Sequence, residues 1–289
     1  MDDGVRQVIS ENLVTWFAAP WVIRFNAAEP GRGLELLFST HDPLVDERTD
    51  VANSQVVAQL FAFGSSAISR CRQLPLVEID GKDGRIRCHY GSTESFPAEL
   101  TLAIGVASVA ANRGELGGEP MEGVRIPFLV CQTDFAIQTE REIAPQLLLT
   151  HNISRVAQKE SCEVVITSED LMRKSVLSGI AFHATQERRT EGSTALSFLR
   201  YSLAGSGWSL VPYYHPAGVR RISPTLFHAP NSESCQELWT VFTFPERLEK
   251  GVTAAVRAGF LLLDSSVSNV EISYVVRELL VGCPPLREG

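Results

Sequence analysis

The chain is poor in the residues and motifs that usually announce a chemistry. Its 289 residues include three methionines, four tryptophans, five tyrosines and six cysteines. The cysteines are Cys71, Cys88, Cys131, Cys162, Cys235 and Cys283. They form no C-x-x-C pair and have no histidine at ligand spacing, so nothing supplies the clustered soft ligands of a zinc site. Spacing this loose predicts free, structural thiols and no disulfide framework. Positive charge is not in excess either: Lys+Arg is 26 against Asp+Glu 34, a net charge of −8. A nucleic-acid binder normally carries a basic stripe that displaces phosphate counterions, and this balance argues against one. No apolar run approaches the roughly 20 residues of a membrane-spanning helix. Met1–Glu11 lacks the basic-then-apolar order of a signal peptide. The expectation is a cytoplasmic protein with neither nucleic acid nor membrane as partner. There is also no Gly-rich phosphate loop with its lysine, no dinucleotide fingerprint, no H-E-x-x-H and no G-x-S-x-G. Neither a metal nor a cofactor is expected.

What the chain does have is enough apolar sequence for a globular core, 44% hydrophobic against 21% charged. Val5, Ile9, Leu13, Trp16 and Phe17 fit a helical stripe that Pro20 stops. Trp21–Phe25 and Leu34–Phe38 read as strands around a turn holding Pro30, Gly31 and Gly33, a β-hairpin over 21–38. Asp50 is placed to cap a helix over 51–72. Residues 76–79 and 85–90, joined by Asp80–Gly84, form the clearest hairpin. Leu100–Ala110 fits a strand or a short helix, and 112–123 is a polar, Gly-rich loop. Helices are expected over 141–156, from Ser168 to about Gln186, over 194–204, from Pro245 to about Leu263 and over 270–281. Strands are expected at 208–214, 225–228 and 237–244, while 162–166 fits a strand or the entry to the Ser168 helix. No linker divides the chain. The predicted fold is one α+β domain over residues 1–289, with mostly antiparallel sheets and packed helices.

Three kinds of residue stand out as chemical candidates. Period two places Val22 and Arg24 on one face of their strand and Trp21, Ile23 and Phe25 on the other. A cation in such a strand is paired, binds an anion, or faces solvent at an edge. The six histidines are isolated from one another, but His228 closes the run Thr225–His228, and strand ends are where chemistry is usually carried. Tyr201, Tyr213 and Tyr214 each join an apolar ring to a polar tip, which suits a peptide groove or the completion of a core.

Several of these segments, in order along the chain, resemble one family. The run from Pro20 to Phe38 looks like the opening hairpin of thiopeptide-type bacteriocin biosynthesis proteins. Trp21, Arg24, Phe25, Pro30, Gly31, Leu34 and Leu36 match its pattern, while Gly33 replaces a histidine and Glu35 and Leu37 replace two arginines. Arg113–Gly118 is similar to the family's Arg-Tyr-Gly-Gly loop. Leu196–Ser202 is similar to its Ser-Phe-Arg-Ser-His segment, keeping Ser197 and Phe198. Thr225–Asn231 is similar to its histidine strand, keeping His228.

The resemblance implies the α+β fold of the small elimination domain of lantibiotic dehydratases. It also implies a cofactor-independent enzyme of thiopeptide maturation acting on a ribosomally made precursor peptide, leader plus dehydrated core. The stand-alone branch of the family is a pyridine synthase. It joins two dehydroalanines by a formal [4+2] cycloaddition, loses water and expels the leader, closing a macrocycle. One alternative is a glutamate-eliminating domain; another is a non-catalytic binder of modified precursor, which the changes at Gly33, Glu35 and Leu37 favour. The resemblance implies catalytic roles for Tyr201, His228 and Ser197. Arg24, Arg200, Tyr90 and Tyr213 are then expected to bind substrate. Holding two distant alkenes together can contribute on the order of 7–11 kcal/mol by proximity, with tyrosine or histidine moving the protons. A homodimer is left open.

Overall fold

The computed structural model describes residues 5–39, 55–65, 74–82, 85–94, 96–112, 125–142, 147–166, 194–214, 219–227, 235–243 and 248–280. Their regular structure is fifteen strands, one 3-10 turn at Pro30–Arg32 and one α-helix. In chain order the strands are β1 (Arg6–Ser10), β2 (Leu13–Ala18), β3 (Trp21–Asn26), β4 (Leu34–Phe38), β5 (Gln55–Ser65), β6 (Leu76–Lys82), β7 (Arg85–Tyr90) and β8 (Ala98–Asn112). They continue as β9 (Arg125–Thr139), β10 (Leu147–Ile166), β11 (Thr194–Leu203), β12 (Trp208–Tyr214), β13 (Val219–Phe227), β14 (Cys235–Thr243) and β15 (Thr253–Asp264). The helix, α1, is Asn269–Leu280.

The α+β expectation is therefore overturned: among the described residues the molecule is almost wholly antiparallel sheet. The reasons are local. The stripe over Val5–Phe17 breaks at Glu11 and Asn12, and the chain turns back there, with Ser10 paired to Leu13 and Glu11 at φ +53°. Within the run expected to be helical over 245–263, residues 254–263 are apolar or glycine except for Arg257, a pattern that also suits a strand covered on both faces. β15 shows this, being buried without a break from Val256 to Leu263. Strands β5, β10 and β11 likewise occupy parts of the helices expected over 51–72, 141–156 and 194–204. The hairpins over 21–38 and 76–90, strand β12 and helix α1 are found where they are expected. Residues 113–123 of the expected loop, and the helix expected from Ser168, lie outside the described residues.

Strand β10 joins two sheets. Its first half pairs with β5 on one side and β14 on the other, completing a sheet in the order β1-β2-β3-β4-β5-β10-β14-β13. Its second half pairs with β11 and enters a second sheet, β10-β11-β12-β15-β9-β8-β7-β6. The register slips between Ile153 and Gln158, where the strand passes from one sheet to the other, as a bulge that bends a strand would require.

The two sheets pack face to face. Trp16, Ile23, Leu36 and Leu60 of the first sheet share one core with Leu100, Leu102, Phe135 and Leu262 of the second. Phe61 meets Phe260, and Trp21 meets the Trp208 ring edge-on with centroids 5.8 Å apart. Gly33 sits at φ +70° against the backbone of Leu60–Ala62, where any Cβ would overlap, so this turn requires glycine. On the outer face of the second sheet, α1 covers Val109, Phe128, Val211, Leu261 and Leu263 with Ile272, Val275, Val276 and Leu279. Ser268 and Glu271 start the helix as a capping box: Ser268 Oγ accepts from the Glu271 N–H at 3.3 Å, and Glu271 Oε2 accepts from the Ser268 N–H at 2.8 Å.

Candidate functional site

The residues singled out by motif are spread over three layers of the molecule. Tyr201 is 1% exposed and lies in the core between the sheets. Tyr90 lies in the same core and donates from its hydroxyl to the Ala27 carbonyl at 3.0 Å. Burial pushes its pKa far above the ordinary tyrosine range, with Cys88 adding to the shift. Arg24 is on the outer face of the first sheet, half-buried, with Nη2 2.7 Å from Glu35 Oε2. Glu35, which stands where the thiopeptide pattern has arginine, is thus the residue that pairs Arg24, directly across the strands.

Arg200 is buried on the outer face of the second sheet and serves the approach to α1. Nε donates to Ser209 Oγ at 3.0 Å, Nη1 to the Val267 carbonyl at 2.8 Å and to Asn269 Oδ1 at 3.0 Å, and Nη2 to the Ser265 carbonyl. Ser197 sits on β11 opposite Glu163. His228 lies outside the described residues. Tyr201 and Tyr90 share the inner face of the second sheet, and Arg200 and Tyr213 its outer face, where Tyr213 belongs to a different group of residues.

That group was not legible from motifs. Strand register on the outer face of the second sheet sets Arg85, Gly105, Gln132, Gly259 and Tyr213 in one row across β7, β8, β9, β15 and β12. The neighbouring row is Arg87, Ala103, Asp134 and Arg257. Arg257 grips Asp134 with both ends of its fork, Nε to Oδ1 at 2.8 Å and Nη2 to Oδ2 at 3.0 Å. The Gln132 amide, turned with its oxygen toward the guanidinium, accepts from the same Nε at 2.6 Å and Nη2 at 3.2 Å. Gln132, Asp134 and Arg257 are 1%, 7% and 6% exposed.

Around them the floor is made of small residues, Ala103, Gly105, Ala136 and Gly259. The Tyr213 ring lies over Gly259, where a methyl group would collide with the phenol carbon and its oxygen. This directs the hydroxyl along the row toward Gln132. The hydroxyl is buried and hydrogen-bonds to nothing. Burial drives its pKa well above the ordinary range, Arg257 pulling it down and Cys131 and Asp134 adding to the rise, so it is a proton donor at any physiological pH.

Exposure rises away from this cluster toward β7. Thr101, Ala103, Arg85 and His89 are half-buried, and Arg87 is exposed. His89 Nδ1 is 3.1 Å from Thr101 Oγ1, and its Nε2 is 3.7 Å from Glu99 Oε2. With adjacent strands about 4.8 Å apart, the shelf from β7 to β15 is roughly 14 Å wide. One signal could have found the cluster: Gln132 and Asp134 interrupt the apolar face of a strand at period two, as Arg24 does in β3. Arg257 was hidden because its run reads as helical.

No protein-family profile matches the chain, and no curated protein sequence matches it. Solved structures with a partly similar chain path include a TPR-domain containing protein from Parabacteroides distasonis, at a TM-score of 0.48 and 9% identity over 89% of this chain. The chain spans only 48% of that protein's length. A putative mutarotase from Salmonella typhimurium gives a TM-score of 0.44 at 9% identity, covering 90% of this chain and 94% of the other. A putative aldose 1-epimerase from Escherichia coli gives 0.40 at 9%, covering 90% and 99%. Likenesses at this level assign no activity to the chain. Among the described residues, no three His, Cys, Asp or Glu side chains converge to hold a metal ion, and no helix is long and apolar enough to cross a membrane.

Proposed function

We propose that the chain binds a small polyhydroxylated ligand, of the carbohydrate class, on the outer face of its second sheet. The observation that carries this reading is the buried Arg257–Asp134–Gln132 cluster on a floor of alanine and glycine. Replacing a buried ion pair with packed apolar side chains is often neutral or stabilising, so packing alone does not account for this one. Carboxylate, guanidinium and amide each hold two hydrogen-bonding atoms in a plane, a geometry that suits the paired donors and acceptors of adjacent hydroxyls. A few convergent polar groups in a mostly apolar setting are the usual make-up of a small-molecule site.

Titration calorimetry of the full chain with a panel of neutral mono- and disaccharides tests the proposal. Gln132→Met keeps the Arg257–Asp134 pair and is expected to fold normally while binding about tenfold more weakly, the loss of one hydrogen bond to a charged or polar partner. Flat heats across the panel with the unaltered chain would end this reading.

Precursor-peptide cycloaddition is the second reading, favoured by one observation: the motif-matching segment Trp21–Phe38 does form a hairpin, with Arg24 facing outward. It would need Tyr201 to reach substrate from inside the inter-sheet core. Incubation with a peptide carrying two dehydroalanines, read by mass spectrometry, decides it. Release of the leader as a carboxamide would establish the reaction, and an unchanged peptide would remove it.

A further inference from the structure

We infer that Tyr213 is the specificity-determining residue of this site, its buried hydroxyl reserved for a hydrogen-bond acceptor on the ligand, and that Gly259 is glycine to let it reach. The inference rests on the proposed ligand site and names the group that discriminates within it. A buried hydroxyl with no partner costs stability, and Tyr213 carries one at 1% exposure. Phenylalanine would fill the same space without that cost. The hydroxyl is directed: the ring crosses β15 above the one residue in its row of that strand without a side chain, and it ends beside Gln132, Asp134 and Arg257. Asp134 and Gln132 already occupy the Nε and Nη2 donors of Arg257. The hydroxyl therefore stands out in the cluster as a donor with nothing to bond, and being protonated it selects an acceptor: a ring oxygen, a carbonyl or a hydroxyl oxygen. The closest comparison is a site built to hydrogen-bond one substrate group, which rejects analogues lacking that group because its own polar atom is left unpaired.

The test is Tyr213→Phe in the full chain, read in two independent ways. The ligand-free melting temperature is expected to hold or to rise by about 2 °C, the size of shift that follows from removing one unpaired polar group in a chain of this length. Calorimetry with D-glucose, D-galactose and their monodeoxy and monodeoxyfluoro derivatives supplies the second reading. The unaltered chain is expected to lose at least about tenfold in affinity for one monodeoxy sugar and to recover part of it with the fluoro sugar, since fluorine accepts but does not donate. Tyr213→Phe is expected to make the parent, deoxy and fluoro sugars at that position equal. A drop in the ligand-free melting temperature would show that the hydroxyl is paired, and would overturn the inference whatever the sugars do. Sugar binding that survives unchanged in Tyr213→Phe would overturn it while leaving the carbohydrate reading intact. No binding of any sugar by the unaltered chain would overturn both. Gly259→Ala provides a second variant: it should displace the ring and reproduce the affinity loss of Tyr213→Phe, and unchanged affinity there would also count against the inference.

Discussion

At the scale of single residues, the feature with most consequence is a charge pair where an apolar layer would serve. Arg257 and Asp134 lie opposite each other on adjacent strands, both more than nine-tenths buried, and satisfy one another bidentately. Removing only one partner breaks a buried bidentate pair and leaves the other charge without its facing group. Asp134→Ala is expected to cost about 3–5 kcal/mol in urea denaturation, whereas the double change Asp134→Leu with Arg257→Met should recover most of that loss. If both variants are equally destabilised, the pair is there for stability and not for binding. The same logic explains Arg24. Period two put it on one face of β3 with Val22, and the structure makes that face the outer one and places Glu35 opposite to pair it. That the partner is a residue of this chain could not be read from Arg24 alone, because register across a hairpin depends on the length and shape of its turn.

At the scale of elements, helix α1 is the part that both the sequence and the structure define in the same way. Its apolar residues recur at helical spacing, its first turn carries Glu271 and its last carries Arg277, in the order the helix dipole prefers. Ser268 lies at the capping position, and Ser268→Ala is expected to lower stability by about 1 kcal/mol, measurable as a reduced melting temperature. Recovery of the loss by Ser268→Asp but not by Ser268→Val would identify capping as the cause. The strands were less legible. β15 reads as a helix because a strand buried on both faces loses the alternation that identifies strands. β15 lies between β12 and β9, with the inter-sheet core on one face and α1 on the other. This environment comes from segments far away in the chain, so no window of local sequence could reveal it. The same is true of the site: Gln132 and Asp134 come from β9, Arg257 and Gly259 from β15, Tyr213 from β12 and Arg85 from β7.

For the molecule as a whole, the arrangement is two large antiparallel sheets face to face, with α1 as a partial third layer. Burial in the core between the sheets and beneath α1 has a chemical result for the cysteines of the second sheet. Cys88, Cys131 and Cys162 are free and buried. Desolvation pushes the Cys88 thiol up to about 11 and raises the other two, Cys162 with help from Glu160. Because only the thiolate reacts, these three are expected to resist iodoacetamide at pH 8 in the native chain and to be labelled fully in denaturant, as peptide mass mapping would show. Labelling of Cys88 in the native state would mean that the second sheet opens locally. Free thiols were expected from the loose spacing, and Cys88, Cys131 and Cys162 are free. The sequence by itself determined properties of that kind: the lack of metal and nucleotide motifs, the acidic balance, the hairpins whose turns announce themselves, and the helix expected over 270–281. The motifs, hairpins and helix depend on residues close together in the chain, and the charge balance on composition alone. Tertiary structure alone decided that the apolar runs are strands, that β10 serves two sheets, and that Gln132, Asp134, Arg257 and Tyr213 meet. Those outcomes depend on which segments pack together, and burial on two faces removes the periodic signal by which a sequence declares its strands.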